Sequence, residues 1–522
     1  MKKRLLVILV AMVLVFFGCS SSNDEGEGGS EDGGGEAKGE VRVALYGQPP
    51  TLDMQLDTSV QTRDLGRLMF ETLVAPDENF EATPMLAESV DVSDDGKTYT
   101  FNLREGVTFH NGEEMVAEDV VASMERWVEK SGLTGNIFDD AKWIDEDEYT
   151  VILELQKPSS LTLDTMASPK QAAAIMPKEV IDSSSAEGVE EYIGTGPFVF
   201  VEWKQDQYIH FAKYDDYEGV DEEPSGLAGK KEVMIDDLFF DIVTDSSTRL
   251  AGLKTGEYDI AYQIANDDYD QIESDPDLEP HPASHGELIF VYNKEEGIAS
   301  DFDIRKAANT ALDMDEIMLG AVISEDLYWL DPGYMTRDLQ NWKSEAGGEF
   351  YNIGDVEEAN KLLEAANYND EPFRILTTRD DDVIYNASVV IQEQMTQAGF
   401  NVDLDVYDWP TMMDKRNEAG EWDALITGSS TVSTPPQLLA LSSSWSGGVQ
   451  SDHITELLND IETAETQEEA KEIWDETQQY AWEEHLPVSV LGGYSMFHAA
   501  TTKIDGFSTF SGAIFWNMSA SE

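Results

Sequence analysis

Cysteine is almost missing from this chain of 522 residues: Cys19 is the only one. No intrachain disulfide can therefore close, and no cysteine-based metal site or C-x-x-C redox pair can be built. Positive charge is nearly as scarce. Lysine and arginine number 33 against 105 aspartates and glutamates, a formal net charge of −72. A field of that sign repels phosphate, which argues against nucleic-acid binding and against electrostatic docking on anionic lipid. Also missing are G-x-S-x-G, a Walker A loop and H-E-x-x-H, so the familiar nucleophile, phosphate-cradling and zinc-protease chemistries have no foothold. There is no fixed-period repeat, which excludes solenoids and propellers.

Metal ligands are thin as well. Of seven histidines only His281 and His285 fall at a ligand-like spacing, and Pro282 between them denies a shared helical face, so a surface loop is expected there. Asp380, Asp381 and Asp382 lack the alternating ligands, glycine and distal glutamate of a calcium loop and read as a solvated turn. The glycine-rich stretch Gly26–Gly35 has no strand before it and reads as linker. No metal and no cofactor is expected.

What is present is material for large cores: 41% hydrophobic residues and 10% aromatic, in a chain long enough for more than one core. The carboxylates are spread along the whole length, as in a solvated acidic coat of the halophilic kind suited to a salty medium.

The N-terminus reads as an address. Lys2, Lys3 and Arg4 precede an apolar run from Leu5 to Phe17 that ends at Gly18-Cys19. The layout resembles a bacterial lipoprotein signal, in which a small residue precedes the lipidated cysteine. Gly18 fits that pattern, whereas Phe16 and Phe17 depart from the usual Leu-(Ala/Ser)-Gly-Cys box. An uncleaved N-terminal anchor is the alternative, and both readings put the body outside the cytoplasm. Residues 20–40 are mainly Ser, Gly, Glu and Asp without an aromatic, a composition that cannot offset its ordering entropy and so reads as a disordered acidic tether.

Beyond the tether, Val41, Val43 and Leu45 alternate with Arg42, Ala44 and Tyr46, the period of a half-buried strand. Tyr99, Phe101 and Leu103 repeat the pattern behind an Asp95-Gly96 turn, pairing with a first arm near Ser89–Val92. Val120, Met124, Trp127 and Val128 mark a helix face. Later, Asp355 and Glu358 open a helix carrying Ala359, Leu362, Leu363 and Ala366. Ile391, Met395 and Ala398 suggest another, closed by Gly399 and followed by a strand with Val402, Leu404 and Val406. Thr466 and Glu469 start one more, carrying Ala470, Ile473 and Trp474. Strand and helix alternate, so the fold class is α/β.

One phrase, TFNLREGVTFHNGEEMVAEDVVASMERW from Thr100 to Trp127, resembles a signature of the extracytoplasmic solute-binding proteins of ABC importers, family 5, which serve peptides and nickel. RVALYGQPPTLDMQ from Arg42, IGTGPFVFVEWKQDQYIHFAKYDDY from Ile193, TRLAGLKTGEYDIAY from Thr248 and DFDIRKAANTALDMDEI from Asp301 resemble that family too. The resemblance implies a bilobed α/β clamp of the large class II periplasmic-binding-protein type with an extra inserted domain. Residues 1–19 would be the signal with Cys19 lipidated, and 20–40 the linker. Lobe I would comprise 41–75, 185–285 and 490–522, the inserted domain 76–184, and lobe II 286–489. The hinge crossings would be Glu287–Asn293 and Val488–Phe497. It also implies a monomer without catalysis, held at the outer face of the membrane and partnered by a permease and its ATPases.

For the ligand, the resemblance suggests an extended peptide held as an added strand. Dipeptide binders carry a phrase resembling G-W-x-x-D-x-x-D-P, whose first Asp pairs with the peptide ammonium. Here Val432 stands at the first Asp and Pro435 at the second, which favours a neutral, anionic or N-blocked ligand unless another carboxylate substitutes. Pocket residues are expected in loops after strands: Tyr46, Trp409, Ser429, Ser430 and Trp445 foremost, then Gln263 and Arg379. Aromatics would wall the cleft, hydroxyls would hydrogen-bond the solute and Arg379 would pair a carboxylate. Oligosaccharide or metal-complex binding on the same fold stays open, as does an extracellular enzyme.

Overall fold

The computed structural model describes residues 39–429, 431–442, 445–448 and 451–521. The signal, Cys19, most of the tether and Ser430 lie outside the described residues.

Strand β1 (Glu40–Leu45) buries Val41, Val43 and Leu45 completely, as its period requires, but Ala44 is also fully buried. The reason is its place: β1 is an interior strand with parallel neighbours on both edges, and Ala44 packs in a core with Leu250, Leu253 and Ala261, while Arg42 on the same face stays half-exposed. Helix α1 (Val60–Met69) starts at Ser59, whose hydroxyl accepts the Thr62 N–H at 3.3 Å. A small hairpin follows, β2 (Val74–Pro76) and β3 (Ala82–Pro84).

Strands β4 (Ala87–Val92), β5 (Thr98–Leu103), β6 (Lys142–Asp147) and β7 (Thr150–Glu154) form a separate antiparallel sheet in the order β4-β5-β7-β6. Helix α2 (Ala117–Lys130) buries Val120, Met124 and Trp127 in one core with Tyr99, Phe101 and Leu103. Two short helices, α3 (Thr162–Met166) and α4 (Lys178–Ser183), lead back to the main body.

That body continues with β8 (Phe198–Lys204), β9 (Tyr208–Lys213), β10 (Asp237–Ile242), α5 (Ser246–Thr255), β11 (Ile260–Ile264), α6 (Tyr269–Glu273) and the long β12 (Leu278–Tyr292). The second half runs α7 (Phe302–Ala311), α8 (Met314–Val322), β13 (Tyr328–Trp329), α9 (Val356–Ala365), β14 (Pro372–Thr378), α10 (Asp382–Gln397) and β15 (Asn401–Tyr407). It ends with α11 (Trp409–Lys415), β16 (Ala424–Ser429), α12 (Asp452–Glu462), α13 (Gln467–Tyr480) and β17 (Val488–Thr501). Its helices start at the capping residues read from sequence: Asp355 accepts the Glu358 N–H at 2.9 Å and Thr466 the Glu469 N–H at 3.2 Å. Asp381, placed by the sequence in a solvated turn, caps α10 by accepting the Ile384 N–H at 3.1 Å.

One sheet unites the halves in the order β15-β14-β16-β12-β17-β11-β1-β10-β9-β8. At its centre β12 and β17 run antiparallel from Leu278↔Thr501 to Val291↔Val488. The late part of β12 pairs with β16, and the late part of β17 pairs with β11. These two strands are thus the crossing between halves, and both extend further than the stretches expected from sequence. His281 and His285 accordingly lie in β12 and not in a surface loop. Pro280 and Pro282 are tolerated because β12 pairs with β16 only from Glu287 onward, so the prolines sit on an unpaired edge and remove no ladder bond.

Candidate functional site

Where the crossing strands leave one half for the other, the chain forms a cleft. Its floor is Ser284 and His285 of β12 with Met496 and His498 of β17. Gln263 of β11, Arg63 of α1 and Gly512 close it from one half, Lys170 from the segment after α3, and Thr431 from the segment after β16. The space between atoms, including the mouth, is about 610 Å³, of which about 50 Å³ admits the centre of a water molecule. That is a polar, narrow cleft with room for a few waters.

Gln263 owes its position to local irregularity. The β11–β17 register shifts between Ala261 and Ile264, and Gln263 takes a φ of +43°. A bulge of this kind re-aims a side chain, and a left-handed backbone at a residue other than glycine is a strained arrangement typical of functional positions. Its N–H donates to Nδ1 of His498 at 3.2 Å, and its carbonyl accepts from Arg249 at 2.6 Å. His498 must therefore present a bare Nδ1 and carry its proton on Nε2. The Gln263 amide faces the Tyr46 hydroxyl, which burial pushes up so that it stays protonated.

The charges are arranged in one sense. Asp64 is completely buried and accepts from Nε of Arg63 at 2.7 Å and from the Tyr262 hydroxyl at 2.7 Å, with Arg67 3.8 Å away. Burial alone would raise its carboxyl, but these partners hold it below the usual range. Lys170 is pushed down by burial and by Arg63. Burial, assisted by Arg63 and Lys170, lowers His285 to about 4; burial likewise lowers His498 to about 4, so both imidazoles are neutral at pH 7. Glu287, paired in register with Ser429, is pushed up to about 8 by burial and is mostly protonated at pH 7.

Of the residues singled out from sequence, Gln263 lines this cleft, and Tyr46 lies outside the lining with its hydroxyl against the Gln263 amide. Ser429 ends β16 beside Glu287, at the border where Thr431 enters the lining. Arg379 and Trp409 follow β14 and β15, whose ends point the same way as that of β16. Both are exposed: Arg379 donates to the Tyr385 hydroxyl at 3.0 Å and covers that ring, and the Trp409 N–H is held by Asp380 at 2.8 Å. Trp445 borders a different cavity with Lys294, His485 and Pro487. Val432 is 8% exposed and packs into the core of the second half.

Arg63, Lys170, Ser284, His285, Thr431 and His498 were not found by sequence reasoning. Arg63 and Lys170 sit in unremarkable stretches, and only the sheet order brings them to one place. His285 did carry a signal, its pairing with His281, which pointed to the right strand for the wrong reason.

Residues 81–450 match the family model described as bacterial extracellular solute-binding proteins, family 5 Middle. The chain is 27% identical over 468 residues, 86% of this chain and 88% of the relative, to a probable peptide ABC transporter periplasmic-binding protein of Sinorhizobium fredii. Its fold is similar to that of the ABC transporter substrate-binding protein CtaP from Listeria monocytogenes, with a TM-score of 0.78 at 20% identity, covering 90% of this chain and 96% of that one. It is similar also to the oligopeptide-binding protein AppA from Bacillus subtilis, solved with a nonapeptide, with a TM-score of 0.73 at 21% identity, covering 91% and 97%.

Proposed function

The chain belongs to the bacterial extracellular solute-binding proteins of family 5, and from that premise we propose that it captures an oligopeptide between its two lobes and hands it to the permease of an ABC importer. The protein is bilobed, α/β and extracytoplasmic. The observation that carries the proposal is the polar cleft on β12 and β17, lined by Arg63 and Gln263 from one half and Thr431 from the other. A solute touching both sides binds the closed arrangement better than the open one and shifts the population toward it by that difference in affinity. The narrow space means that a peptide enters as the lobes part. The relatives' names support a peptide, and the peptide would lie extended with its backbone bonded as an added strand.

The chemistry proposed is binding and release, with no bond made or broken. Lipid on Cys19 would hold the body at the outer face of the cell membrane, and residues 20–40 would let it turn and diffuse locally. The body is proposed to work as a monomer.

The test is mass spectrometry of solutes released from the protein purified from its own host in high salt, with small-angle scattering before and after adding the recovered solute. Peptides that shrink the radius of gyration are the expected outcome. Recovery of sugars or a metal complex, or peptides that leave the scattering unchanged, would overturn it.

A further inference from the structure

The domain built on the β4-β5-β7-β6 sheet touches the second half of the chain through residues that do not line the cleft. Asn136, in the loop after α2, donates from Nδ2 to Oε2 of Glu462 at 2.8 Å and from its backbone N–H to Oε1 at 3.5 Å. Gln437, in the turn after β16, donates from Nε2 to the Leu133 carbonyl at 2.9 Å. Ser160, just before α3, donates its N–H to the Ala464 carbonyl at 3.1 Å. Beside that bond Leu161 is completely buried, in one core cluster with Ile461 and Ala464.

The second half gains from this contact what it does not supply itself. Glu462 is the last residue of α12, at the carbonyl end of the helix dipole, where a carboxylate is disfavoured. It is only 9% exposed, and its hydrogen bonds among the described residues are the two from Asn136. Gly135 lets the carboxylate approach: its φ is +60°, and a Cβ there would stand 2.8 Å from Oε1. Gln437 is equally committed. Its Oε1 accepts from the Ser433 and Thr434 N–H groups at 3.0 and 3.1 Å, which fixes the turn and leaves Nε2 for Leu133. The same turn follows directly on Thr431, a residue of the cleft lining, so its docking and closure over a solute are one movement. In a chain of net charge −72 closure also brings like charges together. The bonds from Gln437 and Ser160 join uncharged groups, so salt does not screen them.

We infer that these contacts form a latch: Asn136, Glu462 and Gln437 are positioning residues that favour the closed arrangement, and so raise solute affinity, without touching the solute. The latch biases the equilibrium before any solute arrives, and a larger closed fraction tightens apparent binding in the same proportion. The domain built on the β4-β5-β7-β6 sheet thereby takes part in the clamp, since it carries one side of the latch.

Small-angle scattering and amide exchange at Ser160, on protein purified from its own host and freed of solute, test the latch. Asn136→Asp sets two carboxylates against each other, and it should enlarge the radius of gyration and speed Ser160 exchange at least about threefold. Adding Glu462→Gln to that variant restores a donor and an acceptor with their places exchanged, and should return both readings to the wild-type values. A merely structural role for Asn136 would not be rescued in this way. Unchanged scattering and exchange in Asn136→Asp, or no return in the double variant, overturns the latch. If Asn136→Asp does not fold, Glu462→Ala decides. It relieves the clash with the helix dipole, so it should open the clamp without speeding the exchange of amides inside α12, and wild-type scattering and Ser160 exchange there overturn the latch. Neither measurement uses a solute, so the result is independent of whether the ligand is a peptide.

Discussion

Glu287 and the histidines His285 and His498 line or border the cleft and titrate in opposite senses. Burial raises the Glu287 carboxyl from 4.5 to about 8. The unfolded chain ionises there above 4.5 while the folded chain stays protonated until about 8, so this group's favourable contribution is present below 4.5 and is lost as pH rises through 8. The histidines, lowered from 6.5 to about 4, favour the fold above 6.5 and lose that contribution as pH falls toward 4. Glu287→Gln is neutral at every pH. The stability of wild type minus that of the variant, from denaturant unfolding, should therefore fall between pH 5 and pH 8 by up to about 1.4 kcal/mol per pH unit. A flat difference would show that Glu287 is ionised in the folded protein.

Single elements were the most readable level of the chain. The period-two run at Val41 and the stripe of Val120, Met124 and Trp127 became β1 and α2 because burial of one face is a local demand. Caps at Asp355 and Thr466 were likewise visible, since a cap satisfies orphan donors only three residues away. β12 was less readable, because prolines are acceptable in a strand only where its edge is unpaired, and pairing is a property of other segments. Helix α13 ties the second half together through Trp474, which is completely buried and donates from Nε1 to the Trp342 carbonyl at 2.9 Å. Trp474→Ala should cost about 3–5 kcal/mol, read from the denaturation midpoint. A loss within about 0.5 kcal/mol, the range of surface substitutions, would mean that this face of α13 is not tightly packed.

At the scale of the molecule, charge dominates. Even if each of the 33 lysines and arginines neutralised one carboxylate, 72 would remain without a cation. Exposed pairs such as Lys178 with Asp182 at 2.6 Å add little to stability. Self-repulsion then weakens the fold unless counterions screen it, so the melting temperature should climb as salt is raised from low to molar concentration. An unchanged melting temperature across that range would contradict the acidic-coat reading.

The sequence by itself determined the α/β class, the helix starts at Asp355 and Thr466, the family, and the expectation that the two halves are joined by crossing strands. These follow from short-range periodicity and from phrases whose residues are neighbours in the chain. Only the tertiary structure decided the composition of the cleft. Arg63, Lys170, His285, Thr431 and His498 stand far apart along the chain and meet because β12 and β17 lie adjacent in one sheet, with α1 and the ends of β11 and β16 closing around them. Their charge is equally a product of the fold, since desolvation and the Arg63–Asp64 pair determine which groups are ionised there.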